Sequence, residues 1–259
     1  MHAPEKLRGF SLVELSIVLV IVGLLTGGIL LGQNLIRNAE IQSVISDYQK
    51  YRDGALAFRD QYDALPGDMS DASSYWGVQN ATPATCRTTA STSDLTCNGD
   101  GNGLVTDSTG SMEHFRFWQH LVSAKIISGR FNGINVGGVS IAAHTPGTNS
   151  PAMKMDNVGW SVYSDGVYGG DSIAFALDYG TRISVGKYVA DWWPHGRAFK
   201  PEEVWNIDTK IDDGKPGQGF VVSAYWDECT LATSRTDVTA DYNLSNANED
   251  CAIYFARVL

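Results

Sequence analysis

The fold is set by the stretch Lys6-Leu7-Arg8-Gly9-Phe10-Ser11-Leu12-Val13-Glu14-Leu15, continued by an unbroken apolar run to Leu31. From Phe10 to Leu31 there are 22 residues, and Glu14 is the only ionisable side chain among them. A helix of that length rises roughly 33 Å, enough to cross a hydrocarbon core. Lys6 and Arg8 stand just before it, a basic flank that keeps a short N-terminus on the cytoplasmic side. A carboxylate about one turn inside a membrane helix is costly, and by default it is a functional group that needs a partner.

Two ordinary readings compete for this N-terminus. A secretory signal peptide has an apolar core of about 7–15 residues closed by a small-residue cleavage site. Here the run is longer, and Gly27-Gly28-Ile29-Leu30-Leu31-Gly32 simply continues apolar. A plain signal anchor explains the length and the basic flank, but neither Glu14 nor the Gly9-Phe10 junction. Basic residues, then Gly-Phe-Ser-Leu-Val-Glu-Leu at 9–15, then about twenty apolar residues resemble the N-terminus of a type IV prepilin or type II secretion pseudopilin. The resemblance implies that a membrane-embedded prepilin peptidase cuts after Gly9 and that Phe10 becomes N-methylphenylalanine. It further implies that Glu14 neutralises the N-terminal ammonium of a neighbouring subunit. Such a pair replaces two separate desolvation penalties in lipid by one satisfied contact. The alternative for Glu14 is that it snorkels or protonates near the interface. Gly23 with Gly27, and Gly28 with Gly32, repeat the small-xxx-small spacing that lets membrane helices approach closely. Many relatives carry a proline near the position of Leu31, and this chain does not.

Beyond the apolar run, Ile41, Val44, Tyr48, Tyr51, Ala55, Phe58 and Tyr62 alternate spacings of three and four, one helical face over about six turns. The spacing predicts one helix continuing to Tyr62, about 80 Å in all at the standard rise, with its outer half packed on the downstream domain. A coiled-coil seam is the alternative, although aromatics are bulky for one. Leu65-Pro66-Gly67-Asp68 ends the helix, and Asp71 to Asp94, rich in Ser, Thr, Ala and Asn, reads as a surface loop anchored by Trp76. Strands are expected at Val139–Ala143, Val158–Tyr163, Ile173–Leu177, Ile183–Val189, Phe220–Tyr225 and Ile253–Val258, with a hairpin turn at Tyr179-Gly180. Helices are expected at Glu113–Ile127, capped by Ser111, and from Lys200 to Asp212. His114 and His120, six apart, are expected at the surface or a boundary. The fold class is therefore α+β: a long N-terminal helix, half membrane and half amphipathic, packed on an antiparallel sheet in the manner of type IV pilins. The segments are a leader at 1–9, a transmembrane and assembly helix at 10–31, an amphipathic spine at 32–63 and an exported globular domain at 64–259.

The formal charge is −10 over 259 residues. Removing 1–9 takes away Lys6, Arg8 and Glu5, a net +1, which leaves about −11. That balance disfavours nucleic acid and anionic lipid surfaces as partners. Four cysteines lie in two local pairs, Cys86 with Cys97 and Cys229 with Cys251, an even count that reads as two disulfides in an exported chain. Three pairings are possible and the local one is preferred. Zinc is the alternative, without CxxC spacing or a suitably placed His. The Cys229–Cys251 loop also resembles the disulfide-bounded region of many pilins.

Two acidic segments allow structural calcium. In Asn98-Gly99-Asp100-Gly101-Asn102-Gly103 the side-chain oxygens alternate as in the first half of a calcium loop, with the Leu104 carbonyl and Asp107 or Glu113 able to complete it. The alternative is a Gly/Asn-rich turn. Asp208, Asp212 and Asp213 crowd the end of the 200–212 helix, where carboxylates oppose the dipole by about 0.3–1 kcal/mol each. Lys210 and Lys215, or a second calcium ion, are the possible compensation. Trp192-Trp193-Pro194-His195 reads either as an exposed aromatic ledge for a glycan or partner, or as cover for a core edge. A signal-anchored exported hydrolase is the reading from another class, but no GxSxG, HExxH or defensible triad appears, so no enzymatic activity is expected. The expected role is a structural subunit of a pilus-like filament, or a pseudopilin of a type II secretion system. The expected partners are prepilin peptidase, other pilin or pseudopilin subunits, and the inner membrane before assembly, with the globular domain periplasmic.

Overall fold

The computed structural model describes residues 11–80, 86, 88–90, 95–106, 112–135, 143–166 and 172–259. The chain divides into two compact units, Met1–Ser43 and Val44–Leu259. One helix, α1 (Leu12–Tyr62), runs through the boundary.

In the first unit the helix is long and apolar enough to cross a membrane, and Leu12, Leu19, Leu24 and Leu30 are all exposed. Among the described residues, a Cβ placed on Gly23, Gly27, Gly28 or Gly32 would meet nothing within 4 Å beyond its chain neighbours and its own helix backbone.

The second unit is built around the rest of α1 and a four-stranded antiparallel sheet. Its helices are α2 (Ala72–Trp76), α3 (Glu113–Ser123), α4 (Pro201–Ile211) and α5 (Trp226–Cys229). The strands are β1 (Val158–Ser164), β2 (Thr181–Lys187), β3 (Val221–Ala224) and β4 (Ala252–Phe255), ordered β1-β2-β4-β3. Trp160 pairs with Val185, Val185 with Ile253, Ile183 with Phe255 and Phe255 with Val221, so these apolar side chains share one face. The amphipathic stripe of α1 covers that face. Val44, Tyr48, Tyr51, Ala55 and Phe58 are buried. Tyr48 stacks on Phe255 at 3.9 Å between ring centroids, and Tyr51 meets Trp160 and Trp118 edge-on at 5.3 and 5.1 Å. Such aromatic pairs contribute about 0.5–1.5 kcal/mol beyond their buried area, which explains why rings too bulky for a coiled-coil seam occupy the stripe.

The opposite face is also buried. Val222, Ala224, Ala252 and Tyr254 pack with Ala174, Phe175 and Tyr179. This is where the strand expected at Ile173–Leu177 goes instead. Its backbone bonds to the 225–235 loop rather than to a ladder: the Ala176 N–H donates to the Arg235 carbonyl at 2.9 Å and the Tyr225 N–H to Ile173 at 2.7 Å. Consequently β1 pairs directly with β2, and Gly180 turns the chain into β2 while its carbonyl accepts the Asp165 N–H at 3.0 Å. Two other strands stop early because the next residues turn left-handed, Tyr225 (φ 63°) after β3 and Arg257 (φ 53°) beyond β4. Most of the strand expected at Val139–Ala143, and the Ser111 cap, lie outside the described residues.

Candidate functional site

Ser11 and Glu14 form the first structural site. The Ser11 Oγ accepts the Val13 N–H at 3.3 Å, and the Glu14 carboxylate accepts the Ser11 N–H at 2.8 Å. With the helix starting at Leu12, Ser11 caps it through the second N–H and Glu14 reaches back to the Ser11 N–H, so two donors that a helix terminus leaves orphaned are satisfied. The Ser-x-x-Glu spacing ahead of an apolar run was the available signal for it. Glu14 thus has a local partner at the start of its own helix. Gly9 and Phe10 themselves lie outside the described residues.

The second site surrounds α3, whose residues from Glu113 to Leu121 are all buried. This corrects the expected placement of His114 and His120, which are 1% and 0% exposed. The helix is enclosed on its polar side by the 65–70 and 95–106 loops, so its polar groups become internal connectors. His120 Nδ1 accepts the Gly67 N–H at 2.9 Å, leaving Nε2 to donate toward the Cys97 carbonyl at 3.2 Å. Burial, first, and the nearby Arg116 charge push its pKa down to about 3, so the ring is neutral. Arg116 donates to Gln119 Oε1 at 2.7 Å and to the Cys86 and Thr89 carbonyls at 3.1 and 3.2 Å. Burial lowers its pKa to about 10, where it still carries its proton. The Cys86–Cys97 disulfide closes the loop that supplies these carbonyls. Gly67 makes the approach possible: at φ +88° a Cβ would collide with the Glu113 carbonyl and lie 2.9 Å from the Phe117 nitrogen.

Carboxylate oxygens of Asp68, Asp100 and Glu113 converge here within 4.8 Å of one another. Each is already engaged. Asp68 accepts the Asn102 and Gly103 N–H groups, both at 2.9 Å. Glu113 accepts those of Asp100 (2.9 Å) and Thr106 (3.0 Å). Asp100 bonds the Asn102 side-chain amide at 3.0 Å. Burial raises the Asp68 pKa, and burial followed by the Asp100 and Asp68 charges lifts Glu113 to about 7. The other expected ligands point elsewhere: Asn98 Oδ1 takes the Ser73 N–H and Asn102 Oδ1 the Leu104 N–H, both at 2.8 Å. Asp107 is outside the described residues. Asp68, some thirty residues from the loop, carried no ligand signal in the sequence beyond ending a helix.

Asp208, Asp212 and Asp213 form the other convergent acidic group. Asp208 accepts the Tyr242 hydroxyl at 2.7 Å and the Gly214 N–H at 2.9 Å, and burial raises its pKa to about 7. Asp212 accepts the Val221 N–H at 2.8 Å, tying α4 to β3, and Asp213 accepts the Lys215 N–H. The Lys215 ammonium pairs with Asp241. The carboxylates opposing the helix dipole are therefore met chiefly by backbone N–H groups and a tyrosine. Cys229 and Cys251 are joined, linking the end of α5 to the start of β4.

Of the aromatic ledge, Trp193 stacks on Tyr163 at 5.8 Å and lies beneath the Arg182 guanidinium at 5.2 Å, covering a core edge. Trp192 stands 51% exposed.

No curated protein and no solved structure matches the chain. Residues 6–30 match the family model described as Prokaryotic N-terminal methylation motif. That motif belongs to structural subunits rather than enzymes, and it implies processing by prepilin peptidase, membrane anchoring and assembly with other pilin subunits. Ahead of its α+β globular unit, the chain carries the type IV prepilin and pseudopilin signature.

Proposed function

We propose that the chain is a non-enzymatic structural subunit of a type IV pilus-like filament. Prepilin peptidase cuts it after Gly9, Phe10 is methylated, and the 10–31 helix polymerises while the 32–63 spine carries the 64–259 domain. Before assembly the chain sits in the bacterial inner membrane with one span and its globular domain in the periplasm. The match of the methylation motif at 6–30 carries this reading, because a plain anchor has no use for a glycine-aromatic junction followed by a membrane carboxylate. Mass spectrometry of the native N-terminus tests it: a chain beginning at methylated Phe10 is expected, and one beginning at Met1 refutes it. In the filament, Glu14 exchanges its local Ser11 N–H for the ammonium of a neighbour.

A pseudopilin of a type II secretion system is the second reading, favoured by the two acidic loops as places for calcium. Fractionation separates the two. Recovery in sheared surface fibres supports the pilus, whereas absence there with lost exoprotein secretion in a deletion strain supports the pseudopilin. A melt in chelator against one in millimolar calcium tests the cation, and an unchanged Tm removes it from the reading.

A further inference from the structure

On the globular unit, an open groove of about 550 Å³ lies where the 145–146 segment, the 152–158 turn and Tyr188 meet. That volume is within the range of small-ligand sites, about 300–1,000 Å³. Its frame is pinned by backbone. The Trp160 N–H donates to Pro151 and the Met153 N–H to Val158, both at 2.9 Å. Tyr188 donates its N–H to Asn157 at 2.6 Å, and Lys187 exchanges two backbone bonds with Gly196. Pro146 lies against Gly159, where a Cβ would stand 2.5 Å from the proline ring. The walls are therefore held while the side chains at the rim face outward.

Those side chains have a particular composition. Met153, Met155 and Pro146 supply an apolar floor, and Asp156, Asn157 and Thr145 supply short donors and acceptors. Lys154 and Asp156 contribute one charge of each sign, and Lys154 also acts on Asp47. Tyr188, 44% exposed, forms one side. The segment after Tyr188 is tied to the 144–145 side of the groove, the Trp192 carbonyl accepting the His144 N–H at 3.1 Å next to Thr145. A flat exposed aromatic beside short polar groups, without net charge, suits a flat amphipathic ligand that carries many hydroxyls. A polyanion would be repelled by the −10 chain, and an apolar peptide would strand the Asp156 and Asn157 groups.

We propose that this groove binds a neutral oligosaccharide. Tyr188 stacks on the C–H face of a sugar ring, and Asp156 and Asn157 hold its hydroxyls. Sugar binding and filament assembly use different parts of the chain, and failure of one leaves the other intact. The test is calorimetric titration of the full chain, in a zwitterionic detergent free of sugar, with maltohexaose, cellohexaose, xylohexaose and chitohexaose at millimolar concentration. Tyr188→Ala removes the stacking face and should weaken binding about tenfold or more, a change of about 1.4 kcal/mol at tenfold. Asn157→Gly, which keeps the left-handed backbone of Asn157 (φ 56°), should weaken it several-fold without unfolding the turn. Trp205→Ala, at an exposed aromatic on α4 that does not line the groove, should leave binding unchanged. Circular dichroism establishes that each variant folds. Absence of binding to every oligosaccharide by the unsubstituted chain overturns the proposal, as does binding that both groove variants retain in full. Sedimentation that shows self-association lost in Tyr188→Ala, with no sugar bound, overturns it in favour of an interface between copies of the chain.

Discussion

Replacing Glu113 by glutamine isolates the electrostatics of the α3 site. Glu113 is fully buried, and burial with the Asp100 and Asp68 charges lifts its pKa from the ordinary 4.5 to about 7. A raised carboxylate pKa means that the folded state holds the proton longer than the unfolded state does. Stability from this group is therefore complete below pH 4.5, falls as pH rises toward 7, and levels off above it. Each pH unit in that window is worth about 1.4 kcal/mol, so the whole passage costs the folded state about 3 kcal/mol. The amide introduced by Glu113→Gln does not titrate, but its nitrogen faces one of the two N–H donors now bound by carboxylate oxygens, at a cost of about 1–3 kcal/mol. The variant should thus be the less stable protein in acid, and its deficit should shrink by about 3 kcal/mol, and can change sign, across the window. Urea unfolding of the full chain in detergent, followed by tryptophan fluorescence at several pH values, measures the difference. Taking it between the two proteins cancels Asp208, which titrates in the same range in both. A deficit that is constant with pH refutes the reasoning. One that widens as pH rises also refutes it, and would mean that the ionised form is the one the fold stabilises. Calcium gives a second arm: an ion held by Asp68, Asp100 and Glu113 would favour ionised Glu113 and abolish the slope, whereas chelator would restore it.

Other expectations follow from single contacts. Gly67→Ala should cost more than about 3 kcal/mol, because the left-handed backbone and the collision with α3 add together, and the midpoint of urea unfolding reads the loss. Asp165→Asn should cost about 3–5 kcal/mol in the same assay by removing the carboxylate that meets the Arg182 guanidinium, since both side chains are almost fully enclosed. Combining Asp165→Leu with Arg182→Met, which removes both charges together, should cost much less than that single change. Cys86→Ser with Cys97→Ser should cost about 2–4 kcal/mol, and reduction of the native protein should reproduce it. Phe255→Ala, which removes the ring stacked on Tyr48, should cost about 3–5 kcal/mol, and a far smaller cost would show that α1 does not depend on that stack.

What was legible in the sequence was local or periodic. The apolar run and the three-and-four stripe to Tyr62 are one-dimensional signals of one helix, and α1 is that one helix, ending at Tyr62. Four of the six expected strands lie in the sheet because their β-branched and aromatic residues fit a surface buried on both faces. The 173–177 segment has the same composition but a different fate. Apolar residues mark burial, and only the partner of the backbone decides between a ladder and a docked loop; here the 225–235 loop supplies that partner. The two local cysteine pairings needed no long-range information and are present.

The α3 site was illegible for a complementary reason. Its sequence, Glu113-His114-Phe115-Arg116-Phe117-Trp118-Gln119-His120, reads as an amphipathic helix, and an amphipathic helix predicts that polar residues face water. They do so only while nothing covers them. Here the cover comes from Gly67-Asp68 and from Thr96 to Thr106, chain segments that share no periodicity with the helix, and the Cys86–Cys97 bond keeps part of that cover in place. Three of the buried polar groups on this helix are met by backbone: His120 by Gly67, Arg116 by the Cys86 and Thr89 carbonyls, Glu113 by Asp100 and Thr106. Backbone groups are present at every residue, so sequence spacing does not reveal which ones serve as partners. The oxygen-rich 98–103 loop illustrates the same point. Alternating Asn and Asp side chains suggested ion ligands, yet alternation equally lets each oxygen reach the N–H two residues on, and Asp100 and Asn102 make that turn. A cation entering this loop would have to draw carboxylate oxygens away from backbone donors they already hold, so its affinity measures how much better an ion serves Glu113 than two N–H groups do.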